Sequence, residues 1–348
     1  MASVTPARRK RPTQREVAER AGVSQAAVSQ VLNGGGGQVR IPDSTRQRVL
    51  QVMADLGYVP NVAARRLAGG HNRILGVFTY EPVFPSSTRD FFTPFLQGIE
   101  ETAAEQDYDL LLHTRPAASG GPRPLYRGGT SRLRLADGTV MLGQLDSARR
   151  DDLLRLLGEG HPVVFIGRRN VPGAQLSYVT ADYAAATGQV LADLVARGHR
   201  RTLYLGAPVG HESALDREQG YREGLEASGT GGEVARPAEI NSSFVAQQLA
   251  AGVTGLLMEN ERLAKAWIEA AAAQGHHWPA QYSFAVLGDP IYSGELPAEW
   301  AHFRIPRLAM GRASVSLLTA LLAGQPPASV SLPCEWVEGR SVGALEWA

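Results

Sequence analysis

The side chains with the most to offer chemically gather in residues 13–33, TQREVAERAGVSQAAVSQVLN, and their chemistry is recognition. Thr13 stands three residues before Glu16, a capping-box spacing that satisfies two orphan amides at a helix N-terminus. Val17, Ala18 and Ala21 follow as an apolar stripe at helical spacing. Gly22 can take the backbone angles of a sharp turn, and Ser24 caps a second helix. In that helix Val28, Val31 and Leu32 face one way, while Gln25, Ala26, Ser29 and Gln30 face the other. Two helices joined by a short Gly-containing turn make a helix-turn-helix, and the second has the dimensions to enter a DNA major groove. A plain surface hairpin of helices would show the same pattern, so charge has to separate the two.

Charge favours nucleic acid. Residues 1–72 hold 11 Lys/Arg against 4 Asp/Glu, a balance of +7; the whole chain has 35 against 34, which leaves 24 against 30 for the remainder, a balance of −6. A near-neutral total therefore hides a basic head on an acidic body, as expected where one end meets phosphates. No apolar run reaches the 18 or so residues a membrane helix needs, and the start, MASVTPARRKR, has no apolar core of a secretory signal. The single cysteine, Cys334, excludes an intrachain disulfide and a cysteine zinc site. It reads as an inert core residue in a reducing compartment. The expected location is the cytoplasm, at the nucleoid.

The elements that must position these groups follow from periodicity. Residues 1–12 read as a disordered basic arm and 13–60 as the headpiece, whose third helix, 43–56, places Val49, Val52, Met53 and Leu56 on one face and stops at Gly57. The four glycines at 34–37 lack the Lys-Ser/Thr of a phosphate loop and read as a flexible connection. In residues 61–72 Asn61 can cap a short helix, VAARRLA, that is too short to persist alone. Two readings fit it: an interdomain linker, or a helix that forms on docking in a minor groove with Leu67 as a wedge. From residue 73 apolar strands alternate with helices twice over, the pattern of two doubly wound parallel-sheet lobes. The lobes are assigned to 73–170 with 302–330, and to 171–301 with 331–348. Ligands in such folds sit outside the carboxyl ends of the strands, and a cleft between the lobes is the natural place.

On these residues the chain resembles transcriptional repressors of the lactose/galactose repressor family. The carriers are TQREVAERAGVSQAAVSQVLNG, TRQRVLQVMADLGYVPNVAARRLAGG, RILGVF, LQGIEETAAEQDYDLLL, HPVVFIGR, LADLVARGHRRTLYLGAP, QGYREGLE, Gly288-Asp289 and MGRASVSLL, in order along nearly the whole length. The resemblance implies an all-α headpiece on a two-lobed α/β core like periplasmic sugar-binding proteins. It implies a homodimer on a palindromic double-stranded operator and a small effector, a sugar or sugar derivative, in the cleft. Gln25 and Ala26 then occupy base-reading positions: Gln can pair bidentately with adenine, Ala only makes apolar contact with a thymine methyl. Ser29 and Gln30 reach phosphates or further bases. Thr13, Ser24 and Asn33 stand where caps or phosphate contacts fall. Leu67 matches the minor-groove wedge, flanked by Ala64 and Arg65. For the effector the resemblance points to Phe91, Phe92, Arg168, His211, Ser213, Arg217, Asn260 and Asp289, with His211 and Ser213 on the loop after the strand RTLYLGA.

The sequence also departs from the family. Ala27-Val28-Ser29-Gln30 stands where Thr-Val-Ser-Arg is common, so a different operator is expected. Ile41 replaces the usual polar cap before the third helix, which leaves that helix start open. Residues 115–136, rich in Gly, Pro and Arg, replace what is often a regular helix and leave their order open. No catalytic role is assigned: there is no Gly-x-Ser-x-Gly elbow, no Gly-x-Gly-x-x-Gly after the first strand and no Walker motif. No metal or cofactor is expected, since His276-His277 has no partner at metal spacing. The alternative to an effector-controlled regulator is a DNA-binding protein controlled by a protein partner.

Overall fold

The structure, a computed structural model, describes residues 12–32, 41–59, 72–80, 91–114, 123–145, 147–208, 211–290 and 296–345. The chain divides into two compact units, Met1–Asn72 and Arg73–Ala348.

The first unit contains α1 (Gln14–Ala21), α2 (Gln25–Leu32) and α3 (Asp43–Leu56). Thr13 begins α1 with both halves of a capping box, and Gly22 ends it in the left-handed region at φ 62°. The apolar spacing read from the sequence closes on itself: Val17, Ala18, Ala21, Val28, Val31, Val49 and Met53 form one buried cluster. Arg48 Nε donates to the Ala21 carbonyl at 2.9 Å, tying α3 to the end of α1. The start of α3 carries no side-chain cap; Pro42 holds that position, and its carbonyl accepts the Thr45 and Arg46 amides at 3.0 Å. A fixed proline φ offsets the missing polar cap.

The second unit holds two six-stranded sheets. The first contains β1 (Ile74–Thr79), β2 (Asp109–His113), β5 (Gly138–Leu142), β6 (Val163–Ile166), β7 (Ser177–Ala181) and β13 (Ser329–Leu332), ordered β13-β7-β6-β5-β1-β2 and parallel throughout. Helices α4 (Thr93–Glu105), α5 (Ser147–Gly158) and α10 (Arg307–Leu322) belong with it. The second contains β8 (Arg201–Leu205), β9 (Gly231–Ala235), β10 (Gly255–Met258), β11 (Ser283–Val286), β12 (Ala301–Arg304) and β14 (Glu335–Val337), ordered β14-β12-β11-β10-β8-β9. Only β12 and β14 pair antiparallel there. Helices α6 (Tyr183–Ala196), α7 (Glu212–Ser228), α8 (Ser242–Ala250) and α9 (Glu261–Ala272) complete this lobe.

The strands place the lobe boundaries differently from the sequence assignment. The first lobe runs through β7, so the division at 170/171 falls one strand early. The divisions at 301/302 and 330/331 cut through β12 and β13. The cause is visible in the strands: β7 is Ser-Tyr-Val-Thr-Ala and β13 is Ser-Val-Ser-Leu, neither an apolar run. The chain thus passes between the lobes after β7, after β12 and after β13.

Of the segment 115–136, residues 123–136 are described and ordered. They form a hairpin of β3 (Tyr126–Arg127) and β4 (Thr130–Ser131), followed by a 3-10 turn at Arg132–Leu135. Gly128 and Gly129, at φ 59° and 78°, supply the two positive angles that a two-residue hairpin turn requires. Leu125 and Leu133 anchor the segment in a buried cluster with Phe78, Met141 and Phe165. Across the other face of the first sheet, α4 and α10 touch backbone to backbone at Gly98 and Gly311, where a Cβ would collide with the facing carbonyl. Among the described residues no helix is long and apolar enough to cross a membrane.

Candidate functional site

The first unit offers a recognition surface at the start of α2. Gln25 and Ala26 are exposed, whereas Ser29 and Gln30 are half-buried. Gln25 Nε2 donates to Gln14 Oε1 at 3.3 Å, so the polar groups at the starts of α1 and α2 meet. Gln14 was not singled out from the sequence; its place one residue after the Thr13 cap is the signal that could have found it. Thr13 and Ser24 act as caps. Thr13 Oγ1 accepts the Glu16 amide at 3.3 Å, and Ser24 Oγ accepts the Ala27 amide at 3.1 Å. Asn33, Asn61, Ala64, Arg65 and Leu67 lie outside the described residues.

In the second unit the carboxyl ends of the two sheets face a common junction, and α7 carries or contacts four of the eight expected residues there. Arg168, just after β6, reaches Asp216 on α7 with Nη2 to Oδ1 at 2.5 Å and Nε to Oδ2 at 3.3 Å. His211 precedes α7 and bonds Gln144, beyond β5, at 2.7 Å. Glu212 Oε1 accepts the Asn170 amide at 3.2 Å. The first turns of α7 therefore clasp the other lobe three times. Ser213 lies within α7, not on the preceding loop; the loop reading missed that His211 already takes the position before the helix.

Arg217 is the most enclosed of the expected residues, 8% exposed. Its Nε donates to the Leu287 carbonyl at 2.7 Å and its Nη1 to the Ser213 carbonyl at 2.9 Å. The guanidinium stacks 4.1 Å from the Tyr183 ring centroid and 5.7 Å from that of Phe303. Gly288, at φ 145°, lets the backbone pass beside it; a Cβ there would stand 3.2 Å from Nη2. Among the described residues no carboxylate pairs with Arg217. A buried cation held only by carbonyls and rings is short of negative charge, which suits a ligand rich in oxygen. Tyr183 and Phe303 were missed in the sequence because each reads as an ordinary apolar position. Burial pushes the Tyr183 phenol above its usual range against the lowering effect of Arg217, and it pushes the neighbouring Cys334 thiol up to about 12. Cys334 is thereby kept in its unreactive form.

The remaining candidates are committed to the frame. Asp289 Oδ2 accepts the Ile305 amide at 2.7 Å, and Oδ1 lies 3.6 Å from Arg307 Nη2. Arg307 also donates to the Phe91 carbonyl at 3.2 Å and stands 5.5 Å over the Phe91 ring. Phe91 and Phe92 meet edge to face at 5.2 Å, just before α4. Asn260 caps α9, its Oδ1 accepting the Arg262 and Leu263 amides at 3.1 and 3.2 Å. Beside it lies a network the sequence did not suggest. Glu259 accepts from Tyr204 at 2.7 Å, from the Ala207 amide at 2.7 Å and from Arg236 at 3.0 Å, and Arg236 continues to Glu218 at 2.8 Å. No group of His, Cys, Asp and Glu among the described residues could hold a metal ion.

Comparison with known proteins matches this architecture. Residues 13–61 fit the family model for bacterial regulatory proteins, lacI family, and residues 81–260 fit that for periplasmic binding proteins and sugar binding domain of LacI family. Residues 191–342 also fit a periplasmic binding protein-like domain. The HTH-type transcriptional regulator CelR of Thermobifida fusca is 27% identical over 339 residues, covering 94% of this chain and 97% of the relative. The ribose operon repressor of Bacillus subtilis is 27% identical over 342 residues, covering 96% and 99%. Among solved structures, a CelR–cellobiose complex superposes with a TM-score of 0.59 at 23% identity, over 95% of this chain and 100% of that one. A lac repressor dimer bound to operator and the anti-inducer ONPF gives 0.64 at 22% identity, over 96% and 100%. At such identities the structures speak for the fold.

Proposed function

Because the chain belongs to the LacI family of bacterial regulatory proteins, DNA-binding transcriptional regulators and not enzymes, we propose that it binds a near-palindromic operator as a homodimer and that a sugar or sugar derivative at the lobe junction controls this binding. The observation that carries the effector reading is Arg217: a buried guanidinium without a carboxylate, stacked on Tyr183, at the ends of strands from the second lobe. Sugar hydroxyls accept from a guanidinium and lay their ring faces on aromatics, so this arrangement fits a polyhydroxylated ligand. The names of relatives agree in kind, since they include a ribose operon repressor and a regulator solved with cellobiose.

On the DNA side, Gln25 and Ala26 read base edges, and Ser29 and Gln30 support them. The arm 1–12 and the hinge residues Asn61, Ala64, Arg65 and Leu67 add phosphate and minor-groove contacts. Two-fold protein symmetry then imposes a palindrome. On the effector side, Arg217 and Tyr183 hold the ligand. Phe91 and Phe92 wall the site, and Asp289 orients Arg307 at its edge. Selection of operator sequences from random DNA, followed by calorimetry and operator-release assays over a sugar panel that includes cellobiose and ribose, tests the reading. A palindromic consensus that is released or tightened by one sugar is the expected result. A consensus indifferent to the whole panel, with control passing to a protein from the host, would overturn the effector half and leave the DNA half standing.

A further inference from the structure

We propose that the first lobe carries a second ligand site: a pocket for a small organic anion with an apolar body, under the hairpin of β3 and β4. A cavity of about 520 Å³ opens there between β2, the hairpin and the 3-10 turn that follows it. That volume lies within the range of small-molecule sites. Its floor is apolar, built from Phe78, Leu111, Leu125 and Leu133, and its charged groups are all cationic.

The lining contains Arg123, Arg127 and Arg132 and no Asp or Glu. Arg127 and Arg132 are exposed, and among the described residues neither is paired with a carboxylate. The contrast lies close by: Arg134 and Arg155, outside the pocket, both pair with Glu159, at 3.1 and 3.0 Å. Glu159 thus serves one pair of arginines, and the pocket-side pair is left without a carboxylate.

His113 supplies the second, independent observation. Its Nε2 is buried and has no hydrogen-bond partner among the described residues, although the ring lines the pocket. The ring lies over β1, and a Cβ on Gly76 would stand 3.2 Å from Nε2, so the strand leaves room for it. A buried ring nitrogen without a partner is costly, and because Nε2 is closed to solvent against β1, a turn of the ring would bring it to a ligand oxygen. Burial first, and then the charge of Arg132, depress the imidazole to about 4, so it is neutral near pH 7. A neutral ring can donate one N–H to a carboxylate or phosphate oxygen while the arginines supply charge. None of the lobe-junction residues lines this cavity, so the site is separate from that of the proposed effector.

The test uses the full-length protein and 8-anilinonaphthalene-1-sulfonate, an aromatic monoanion whose fluorescence reports binding. Saturable binding with a stoichiometry of one is expected, displaced by phenylacetate or phenyl phosphate; whichever displaces more strongly identifies the head group. The double variant Arg127→Gln/Arg132→Gln changes only exposed side chains and should weaken binding about tenfold or more, as loss of charged hydrogen bonds does. His113→Phe keeps the ring and should weaken it several-fold. Arg217→Met should leave it unchanged. Unchanged affinity in the double variant, absence of saturable binding, or loss of binding in Arg217→Met would each overturn the proposal. The last would place the probe at the lobe junction instead.

Discussion

Arg217→Met separates a ligand-binding arginine from a merely structural one. Methionine roughly keeps the aliphatic volume and removes the charge. The folded state loses two charged hydrogen bonds, to the Leu287 and Ser213 carbonyls at 2.7 and 2.9 Å, each contributing about 1.5–3 kcal/mol. It also loses the stacking on Tyr183 at 4.1 Å, about 1–2 kcal/mol. Against these stands the release of a guanidinium that is 8% exposed and has no carboxylate partner, a burial that costs several kcal/mol by itself. The balance is a small loss of stability, about 0–3 kcal/mol. Sugar binding has no such compensation, because removing a charged donor from the ligand weakens it by about 10- to 150-fold. Urea unfolding of the full-length protein reads the first quantity and calorimetry with the controlling sugar reads the second. Loss of more than about 4 kcal/mol of stability with unchanged sugar affinity would refute the argument and make Arg217 a frame residue.

Gln25→Ala should change preference at one base pair in each half-site, at a cost of about 1–3 kcal/mol, in a selection from random DNA; an unchanged consensus would remove Gln25 from base reading. Operator affinity should fall steeply as salt rises from 50 to 200 mM, and a chain lacking residues 1–72 should not bind operator at all. Asp216→Asn breaks an ion pair of partly exposed groups, Arg168 at 33% and Asp216 at 18%. Stability should therefore change by less than about 1 kcal/mol, while sugar affinity and the lobe arrangement seen by small-angle scattering shift. His113 is held at about 4, below its unfolded value near 6.5, so between those values the unfolded chain binds more protons than the folded one. Its contribution to stability is complete above pH 6.5 and is lost as pH falls towards 4, by about 2 kcal/mol after allowance for partial exposure. Urea midpoints of His113→Phe should be flatter over that window than those of the parent.

The headpiece was legible because everything that builds it is local. The Thr13 capping box and the Gly22 turn lie within one or two helical turns of chain, and the Val17–Val28–Val49 cluster joins faces that each helix shows by its own periodicity. Both sheets were legible where strands are continuous apolar runs, as in β1, β5, β6 and β10. They were less legible where a strand is short and half-polar: 176–182 reads only as a short extended piece, β12 and β13 do not read as strands, and β7, β12 and β13 are the strands at which the chain changes lobe. The surroundings of the site were hard to read for a related reason. Asp289 and Asn260 were chosen as strand-end polar residues, but a strand end is also where amides need acceptors. Asp289 serves Ile305, and Asn260 caps α9. Tyr183 and Phe303 gain meaning only when Arg217 is laid on them from another element, a contact between distant parts of the chain that no short window contains.

The placement of Arg217 next to Asp216 gives the proposed control a mechanical basis. The three contacts that clasp α7 to the first lobe, through His211, Glu212 and Asp216, span one and a half helical turns and end one residue before the arginine that would hold the sugar. Partly exposed polar contacts of this kind contribute about 0.2–1 kcal/mol each. Together they contribute no more than about 3 kcal/mol, the size of a typical coupling free energy between sites. A sugar need only bind one lobe arrangement better by that amount to redistribute the populations. A helix transmits the effect because Arg217 cannot shift with its ligand unless the clasp residues on the same rigid turns shift too.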